Sequence, residues 1–453
     1  MKDSREQIYE QMTVPKAVMK MAVPTIISQI ISMVYNMADT FYIGQLGDPS
    51  QVAAVSIAAP AALLLTALAN LFGIGGSGAL SRALGSGESD KAAKITSFSI
   101  YASAAAAIVV SLVFFLASGG LLTLMGADAS TLEFTRKYIF WVIVLGALPN
   151  LLSLVLSHFT RADGAPKYAG YVLSAGGILN LILDPILIFD WGCGLGLSGA
   201  AIATFISNLF TLAAFIIYYV RKRGSTVVSF RPSDFTLKKE VSLDVTGTGL
   251  PSALQTLLAS VSNMFLNNFA GAYGSNVVAS IGIVKKLDQV PMSITIGFAQ
   301  GIVPLVGYSY GKKNIKKTAD IIRYTGIVTV VVSLVFTAVY ELFPGSLISL
   351  FINDAATIAT GIPFLRIMCI STPLMAVAFI MMTSLQASGK KTQSTILSVM
   401  RKGALDIPLM FILNAAFPLI GLAFVQPVAE GLAMIAALVF YRKFFVRSSD
   451  SAL

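Results

Sequence analysis

Two acidic residues in otherwise apolar stretches have the types and the spacing that could do chemistry. Asp39 is the only acid in the apolar run that begins near residue 17, and it lies in "YNMADTFYIGQLG". Asn180 and Asp184, in "GGILNLILDPILIF", are spaced i, i+4 and would project from one face of a helix. A carboxylate near the middle of a membrane costs about 2.5–3.5 kcal/mol on insertion scales. Two carboxylates with an amide and hydroxyl groups can bind a cation or hold one shared proton.

Other polar residues can extend this candidate cation-binding site. Tyr35 and Asn36 precede Asp39 by about one helical turn and lie on nearby faces. Thr204, in "AAIATFISN", can add a hydroxyl group, and Pro24 can act as a hinge in the segment that contains Asp39. The sequence therefore predicts a polar site built from three separate apolar segments.

A structural role is the alternative for both acids. Asp39 could cap a kink, and Asp184 directly precedes Pro185, where a carboxylate can satisfy backbone groups loosened near a helix end. The sequence leaves both interpretations open.

The C-terminal half carries a second set of charges within apolar segments. These residues could form buried ion pairs, with Glu430 and Lys286 as a candidate pair, or could line a polar cavity that receives substrate. The set is Lys285, Lys286, Asp288, Arg366, Arg401, Lys402, Asp406 and Glu430.

Long apolar segments must position these side chains. The chain is 56% hydrophobic and 12% charged, whereas soluble domains usually carry about 25% charged residues. Twelve stretches are long enough to cross a hydrocarbon core of about 30 Å. They lie near 16–44, 52–80, 92–118, 133–159, 168–190, 197–220, 243–271, 277–308, 316–342, 358–386, 393–414 and 419–441. The predicted fold class is an all-α polytopic membrane protein with twelve transmembrane helices.

The basic residues behind the net charge of +10 are distributed unevenly between the two sides of the predicted membrane protein. Most of the 32 basic residues fall in the termini and in the connections that follow predicted helices 2, 4, 6, 8 and 10. The connections on the other side of the membrane hold only Arg136 and Lys137. Cytoplasmic segments carry such an excess of Lys and Arg. We expect both termini to be cytoplasmic, and we expect no nucleic-acid partner.

The two halves of the chain repeat one plan. Residues 24–47 align without a gap with 251–274, at a shift of 227, and "GIGGSGALSRALG" aligns with "AQGIVPLVGYSYG". A shift of six helices predicts two parallel six-helix lobes related by internal pseudo-symmetry. The predicted boundaries are 1–220 for the N-terminal lobe, 221–240 for a cytoplasmic linker and 241–453 for the C-terminal lobe. Leu266 occupies the position that matches Asp39, so the carboxylate site is not duplicated.

Common enzyme signatures are missing from the sequence. "GIGGSG" fits G-x-G-x-x-G but follows the helical "AALLLTALANLF" instead of a strand, and no P-loop, H-E-x-x-H or G-x-S-x-G occurs. One histidine rules out a multi-histidine metal site. We therefore expect no enzymatic activity, no catalytic residue and no cofactor.

The combination of these features resembles the multidrug and toxic compound extrusion (MATE) family, over about residues 10–445. It is carried by the twelve helices in two halves, Pro24 and Asp39 in the first helix, "NLFGIGGSGALSRALG", "TRADGAP" and "NLILDPILIF". The chain is most similar to the bacterial MepA-type and DinF-type exporters. Some branches of the family rely on acids in helices 7 and 10 of the C-terminal lobe. The corresponding stretches here, "SNMFLNNFAGAYG" and "FIMMTSLQASG", contain no acid. This difference argues against coupling by the C-terminal lobe alone.

The resemblance implies secondary-active export of organic, often cationic, compounds by alternating access, in exchange for H⁺ or Na⁺. It implies a cation site at Asp39, Asn180, Asp184 and Thr204, with Na⁺ a candidate at the first three. It also implies a multi-pass protein of a bacterial cytoplasmic membrane, and one chain suffices for the two-lobe plan. The alternatives are a flippase for a lipid-linked or amphiphilic metabolite, which a basic cavity would favour, and a receptor or scaffold that transports nothing.

Overall fold

The structure, a computed structural model, describes residues 5–446 and contains no strand within that range. Twelve long helices make up the bundle. Their bounds are α1 Val14–Gly44, α2 Pro49–Gly85, α3 Ser89–Leu116, α4 Leu132–Leu145 with Ala147–Ala162, α5 Pro166–Ile188, α6 Leu197–Arg221, α7 Lys239–Gly271, α8 Ser275–Gly311, α9 Ile315–Leu342, α10 Ala355–Ala387, α11 Lys391–Val399 with Met400–Ala404 and Asp406–Ala416, and α12 Ile420–Val446. Short helices are Gln7–Gln11, Ser118–Leu124, Pro232–Asp234 and Pro344–Ser349.

The predicted fold class is confirmed. In the described part of the chain, nine helices are long and apolar enough to cross a membrane, and α4 adds a tenth if its two parts, bent by 46°, form one span. The remaining two, α7 and α11, are more polar, and α11 contains Arg401, Lys402 and Asp406. Polar residues in a spanning helix usually face the interior of the bundle or a cavity.

The helices form two lobes, α1–α6 and α7–α12, which meet along two equivalent seams and also where α2 packs on α8 between them. In one seam α8 packs on α1, where a Cβ on Gly301 would lie 2.7 Å from Ala22 Cα. In the other, α7 packs on α2, where Gly249 contacts Gly75 and the Leu71 carbonyl group. Gly75 and Gly301 hold the same repeat position, as do Ala22 and Gly249. The exact lobe boundaries remain a prediction, and residues 1–4 and 447–453 at their ends lie outside the described residues.

Both seams lie near one end of the bundle, which we call the basic face. It is the end at which α1 begins and at which α2, α4, α6, α8 and α10 terminate. The α2–α7 seam is closed there by Arg82, whose Nη2 lies 2.9 Å from Asp244 Oδ1 and whose Nη1 donates to the Ala387 carbonyl oxygen at 2.7 Å. One guanidinium of the first lobe thus contacts two helices of the second.

The α1–α8 seam is closed by the segment that precedes α1. Tyr9 is buried, stacks on Tyr308 with ring centroids 4.8 Å apart, and donates its hydroxyl hydrogen to the Ala162 carbonyl oxygen at 2.8 Å. Glu10 accepts from Tyr308 Oη at 2.5 Å and from Lys312 Nζ at 2.7 Å. Tyr308 holds the repeat position of Arg82, so the two seams are closed from equivalent positions by different chemistry.

We expect Gly249→Ala to destabilise the closed basic face. The new methyl group would collide with the Leu71 carbonyl group, and because both belong to helices, the lobes must separate to make room. Overpacking of this kind costs about 1–3 kcal/mol. The measurement is the apparent melting temperature of the purified protein. Gly326→Ala in α9 is the matched control, because nothing lies within 4 Å of its added Cβ; an equal effect of the two changes would contradict the prediction.

Candidate cation-coupling site

Small residues on α5 bring three helices of the first lobe together. A Cβ on Gly170 would lie 2.7 Å from the Pro24 carbonyl oxygen of α1, and one on Gly177 would lie 3.0 Å from the Tyr35 ring. On the other side, Gly176 contacts the Thr211 hydroxyl of α6. Glycines allow helix backbones to approach closely. This packing places the polar side chains of α1, α5 and α6 around one centre.

The structure brings Asn180, Asp184 and Thr204 into contact. Asn180 Nδ2 donates to Asp184 Oδ1 at 3.3 Å and to Thr204 Oγ1 at 3.4 Å. Asn180 is 2% exposed and Asp184 is fully buried. The two polar residues of α5 are therefore in contact with each other and with the hydroxyl group on α6, as the sequence predicted.

Asp39 reaches the same centre from α1. It is half-buried, and it interacts electrostatically with Asp184. An electrostatic interaction of this kind extends over several ångströms, so Asp39 lies in the neighbourhood of Asp184 without a hydrogen bond between them.

Three oxygen atoms of the centre have no donor. Within residues 5–446, Asp39 Oδ1, Asn180 Oδ1 and Asp184 Oδ2 are buried and accept no hydrogen bond. Buried polar atoms are nearly always satisfied, and each exception needs an explanation. All three are acceptors, so either a hydrogen-bond donor or a cation would satisfy them.

Tyr138 is a neighbour that the sequence did not single out. It is 9% exposed, lies in the middle of the first part of α4, and interacts electrostatically with Asp39, Asp184 and Tyr35. A π-helical turn, Phe140–Leu145, follows it. Such turns often occur at functional sites, but no residue pattern in the sequence marks one.

The other predicted residues of α1 differ in their surroundings. Tyr35 packs on α5 and interacts electrostatically with both acids, whereas Asn36 donates to the Ser32 carbonyl oxygen of its own helix at 2.6 Å. Pro24 lies inside α1 and packs on Gly170. Its role as a hinge remains a prediction.

Four charges of the second lobe, on α11 and α12, form one buried cluster. Arg401 Nε and Nη2 donate to the two oxygens of Glu430 at 2.8 and 3.0 Å. Lys402 Nζ lies 3.4 Å from Glu430 Oε1 and 3.3 Å from Asp406 Oδ2, and Ser262 donates to the same Asp406 oxygen. Arg401 and Lys402 lie in the π-helical turn Met400–Ala404.

Two members of the set extend the cluster along α8. Lys285 Nζ donates to Asn263 Oδ1 at 2.8 Å, and Asp288 Oδ1 accepts from Thr372 at 3.4 Å. Asp288 also interacts electrostatically with Lys402 and Glu430.

The predicted pair of Glu430 with Lys286 is wrong. Glu430 pairs with Arg401 and Lys402 instead, and Lys286 is exposed. Successive residues of a helix point about 100° apart, so α8 directs Lys285 inward and Lys286 outward. Arg366 lies outside the cluster and pairs with Glu341 at 3.6 Å, with both side chains partly exposed.

Comparison with known proteins identifies the family. A model of the MatE family matches residues 24–186 and 251–412. The second matched segment begins 227 residues after the first, which is the shift of the internal repeat. The chain belongs to the MatE family.

Relatives match this MatE chain over nearly its whole length. The multidrug export protein MepA of Staphylococcus saprophyticus is 34% identical over 443 residues, which cover 97% of this chain and 96% of the relative. MepA of Staphylococcus aureus is 34% identical over 444 residues with the same coverage. These relatives are export proteins and not enzymes.

Solved structures of MATE transporters share the fold. The outward-facing conformation of a multidrug resistance MATE family transporter of the MOP superfamily is 25% identical, with a TM-score of 0.91 and 98% coverage of both chains. A MOP superfamily transporter from Pyrococcus furiosus, described by a binding pocket of reversed polarity, is 25% identical with a TM-score of 0.89 and 97% coverage of both chains.

Proposed function

We propose that this MatE chain is a secondary-active exporter that moves small organic, often cationic, compounds out of a bacterial cell in exchange for H⁺ or Na⁺. The observation that carries the proposal is the set of three buried oxygens without a donor at Asp39, Asn180 and Asp184. The similarity to MepA, a multidrug export protein, supports the substrate class. The proposal includes no enzymatic activity, and a single chain acts as the transport unit.

The oxygen ligands at this site suit either coupling ion, H⁺ or Na⁺. A proton can be shared between Asp39 and Asp184, because two carboxylates at one site resist simultaneous ionisation. Na⁺ is a hard cation that prefers oxygen ligands, and the two carboxyl groups, the Asn180 amide oxygen and the Thr204 hydroxyl offer four. Rotation of the Asn180 amide would exchange its donor for its acceptor.

Coupling requires that the ion and the exported compound prefer different conformations. Binding of a cation removes net charge from the first lobe, and the acids lie on α1 and α5, which meet at Pro24 and Gly170. A change in the bend of α1 near Pro24 would alter the α1–α8 seam and hence the relation of the lobes. The proposed cycle therefore connects the charge of the coupling site to the interlobe contacts.

The basic face is cytoplasmic in this proposal, by the excess of Lys and Arg there. Both seams close the bundle at that face. The described conformation is then outward-facing, in keeping with the conformation of the similar transporter.

The buried cluster of the second lobe favours export of organic cations over flipping of an anionic amphiphile. Arg401 and Lys402 are paired with Glu430 and Asp406. Their positive charge is therefore compensated and does not create a basic cavity.

The test is efflux of a fluorescent organic cation from proteoliposomes, under a pH gradient and separately under a Na⁺ gradient. We expect flux with one gradient, and we expect Asp39→Asn to abolish the response to that gradient because it removes the titratable charge. Asp190→Asn, at an exposed position after α5, is the control and should transport like the parent. Full gradient-driven flux in Asp39→Asn would refute coupling at this site, and no flux in the parent would refute the exporter.

A further inference from the structure

The turns that end four helices at the basic face share one backbone conformation. After α2, α4, α8 and α10, a residue with positive φ follows the helix, and the next N–H donates to the carbonyl group five residues earlier. The positive-φ residues are Gly87 (80°), Gly164 (86°), Lys313 (60°) and Gly389 (74°). Glycine is the usual residue at this position of a helix end. Lysine replaces it in one turn of the four.

Lysine is an unfavourable residue at position 313 because the backbone there has a positive φ. With positive φ the Cβ of an L-residue crowds the following carbonyl oxygen, and glycine avoids this cost. Gly87 and Lys313 occupy the same repeat position, so the same chain shows which residue the turn favours. An unfavourable residue at such a position points to another requirement for its side chain.

Lys313 lines a cavity of about 420 Å³ that both lobes build at the basic face. The first lobe contributes the end of α2 and the start of α3, and the second contributes the start of α7, the end of α8 and the turn after it. Polar lining residues include Arg82, Ser86, Lys91, Asp244 and Lys313. Because two lobes form the walls, the cavity exists in this form only while the basic face is closed.

The charge around the cavity is positive. Asp244 is compensated by both Arg82 and Lys391, each 2.9 Å away. Glu88 lies 3.2 Å from Lys91, and the hydrogen bond from the Ser86 hydroxyl, together with Lys91, lowers the pKa of Glu88. Lys313 has no carboxylate within 4.0 Å among residues 5–446. Three bases and two acids therefore line the cavity, an excess of one positive charge, and Lys391 beside Asp244 adds a second.

We propose that this cavity binds a phosphate-bearing anion between Lys91 and Lys313. Lysine ammonium groups bind phosphate oxygens as point charges, and the excess positive charge matches a dianion. An anion that contacts both lobes binds the closed basic face more tightly than the open one, and by linkage it stabilises that conformation. The site goes beyond the proposed function, since it needs neither the exported compound nor the coupling ion.

The first experiment measures the apparent melting temperature of the purified full-length chain in an uncharged detergent. Inorganic pyrophosphate is the probe, with chloride at equal ionic strength as the reference. The parent should be stabilised by pyrophosphate. Lys313→Gln and Lys91→Gln should each weaken the apparent affinity about two- to fivefold, the range for one partly exposed ion pair. Lys316→Gln, an exposed lysine three residues beyond Lys313 that does not line the cavity, should respond like the parent.

Lys313→Gly separates binding from a structural role of the lysine. Without pyrophosphate it should raise the melting temperature above that of the parent, because glycine suits the positive φ, and with pyrophosphate it should respond as weakly as Lys313→Gln. A lower melting temperature in Lys313→Gly without the probe would overturn the proposal. An undiminished response of Lys313→Gln and Lys91→Gln would overturn it as well.

A second arm distinguishes a soluble phosphate compound from a lipid headgroup. The parent and Lys313→Gln are compared in phosphatidylcholine nanodiscs with and without phosphatidylglycerol. Stabilisation by phosphatidylglycerol that depends on Lys313, with no effect of pyrophosphate, would assign the site to a lipid headgroup. A response to pyrophosphate alone would assign it to a soluble anion. Absence of both responses would refute the site.

Discussion

Asp184→Asn is expected to give a folded protein whose gradient-driven export is reduced at least about tenfold. Typical coupling free energies of 1–3 kcal/mol correspond to about 5- to 150-fold, and this change removes the charge through which the ion acts. The amide keeps the shape of the carboxyl group and can still contact Asn180, which lies 3.3 Å away. Burial of an ionised carboxylate is costly, so the melting temperature should stay equal or rise.

The measurement pairs transport with stability, because the alternative role of Asp184 predicts the opposite pattern. If Asp184 satisfies backbone groups beside Pro185, Asp184→Asn should lower the melting temperature and leave the coupling of the surviving protein intact. The double variant with Asp39→Asn should transport no worse than either single variant, since residues that act as a unit are not additive. Additive losses would contradict one shared site.

Features that depend on single helices could be predicted from the sequence. Most apolar runs are long enough to be recognised alone, and the twelve predicted stretches match the twelve helices to within a few residues, including the more polar α7 and α11. The spacing of Asn180 and Asp184 fixes their common face within α5, and the structure places them in contact. These predictions needed no knowledge of how helices pack.

Features that depend on the rotation of one helix against another could not be predicted. The choice between Lys285 and Lys286 as the inward residue of α8 depends on that rotation, and the pairing predicted for Glu430 failed there. Tyr138 interacts electrostatically with Asp39 and Asp184 because one particular side of α4 is buried inside the first lobe. Arg82 and Tyr308, which close the two seams, look like ordinary loop-proximal residues in the sequence.

The charged cluster of the second lobe and the acids of the first lobe differ in how their charges are balanced. Six charges, Lys285, Asp288, Arg401, Lys402, Asp406 and Glu430, are equal in number of each sign. The acids of the first lobe, Asp39 and Asp184, interact electrostatically with each other, and one oxygen of each lacks a donor. From this difference we propose that ion coupling belongs to the first lobe and that the charges of the second lobe mainly stabilise the fold.

That assignment predicts a large loss of stability for Glu430→Ala with little change in the choice of coupling ion. Arg401 is 1% exposed and donates two hydrogen bonds to Glu430, so removal of the acid leaves a buried guanidinium without its partner. Breaking a buried pair from one side costs about 3–5 kcal/mol. The measurement is the apparent melting temperature, together with the gradient that drives residual flux in proteoliposomes.

Two comparisons make this last prediction specific. Glu341→Ala breaks the exposed pair with Arg366, at 3.6 Å, and should cost at most about 1 kcal/mol. The double variant Arg401→Met with Glu430→Gln should recover much of the loss, because it removes the unpaired charge, leaves an amide for Lys402, and keeps similar volumes. Stability lost equally in Glu430→Ala and Glu341→Ala would contradict the buried pair. A change of the driving gradient in Glu430→Ala would instead place coupling in the second lobe, and with it the charge that must change during transport.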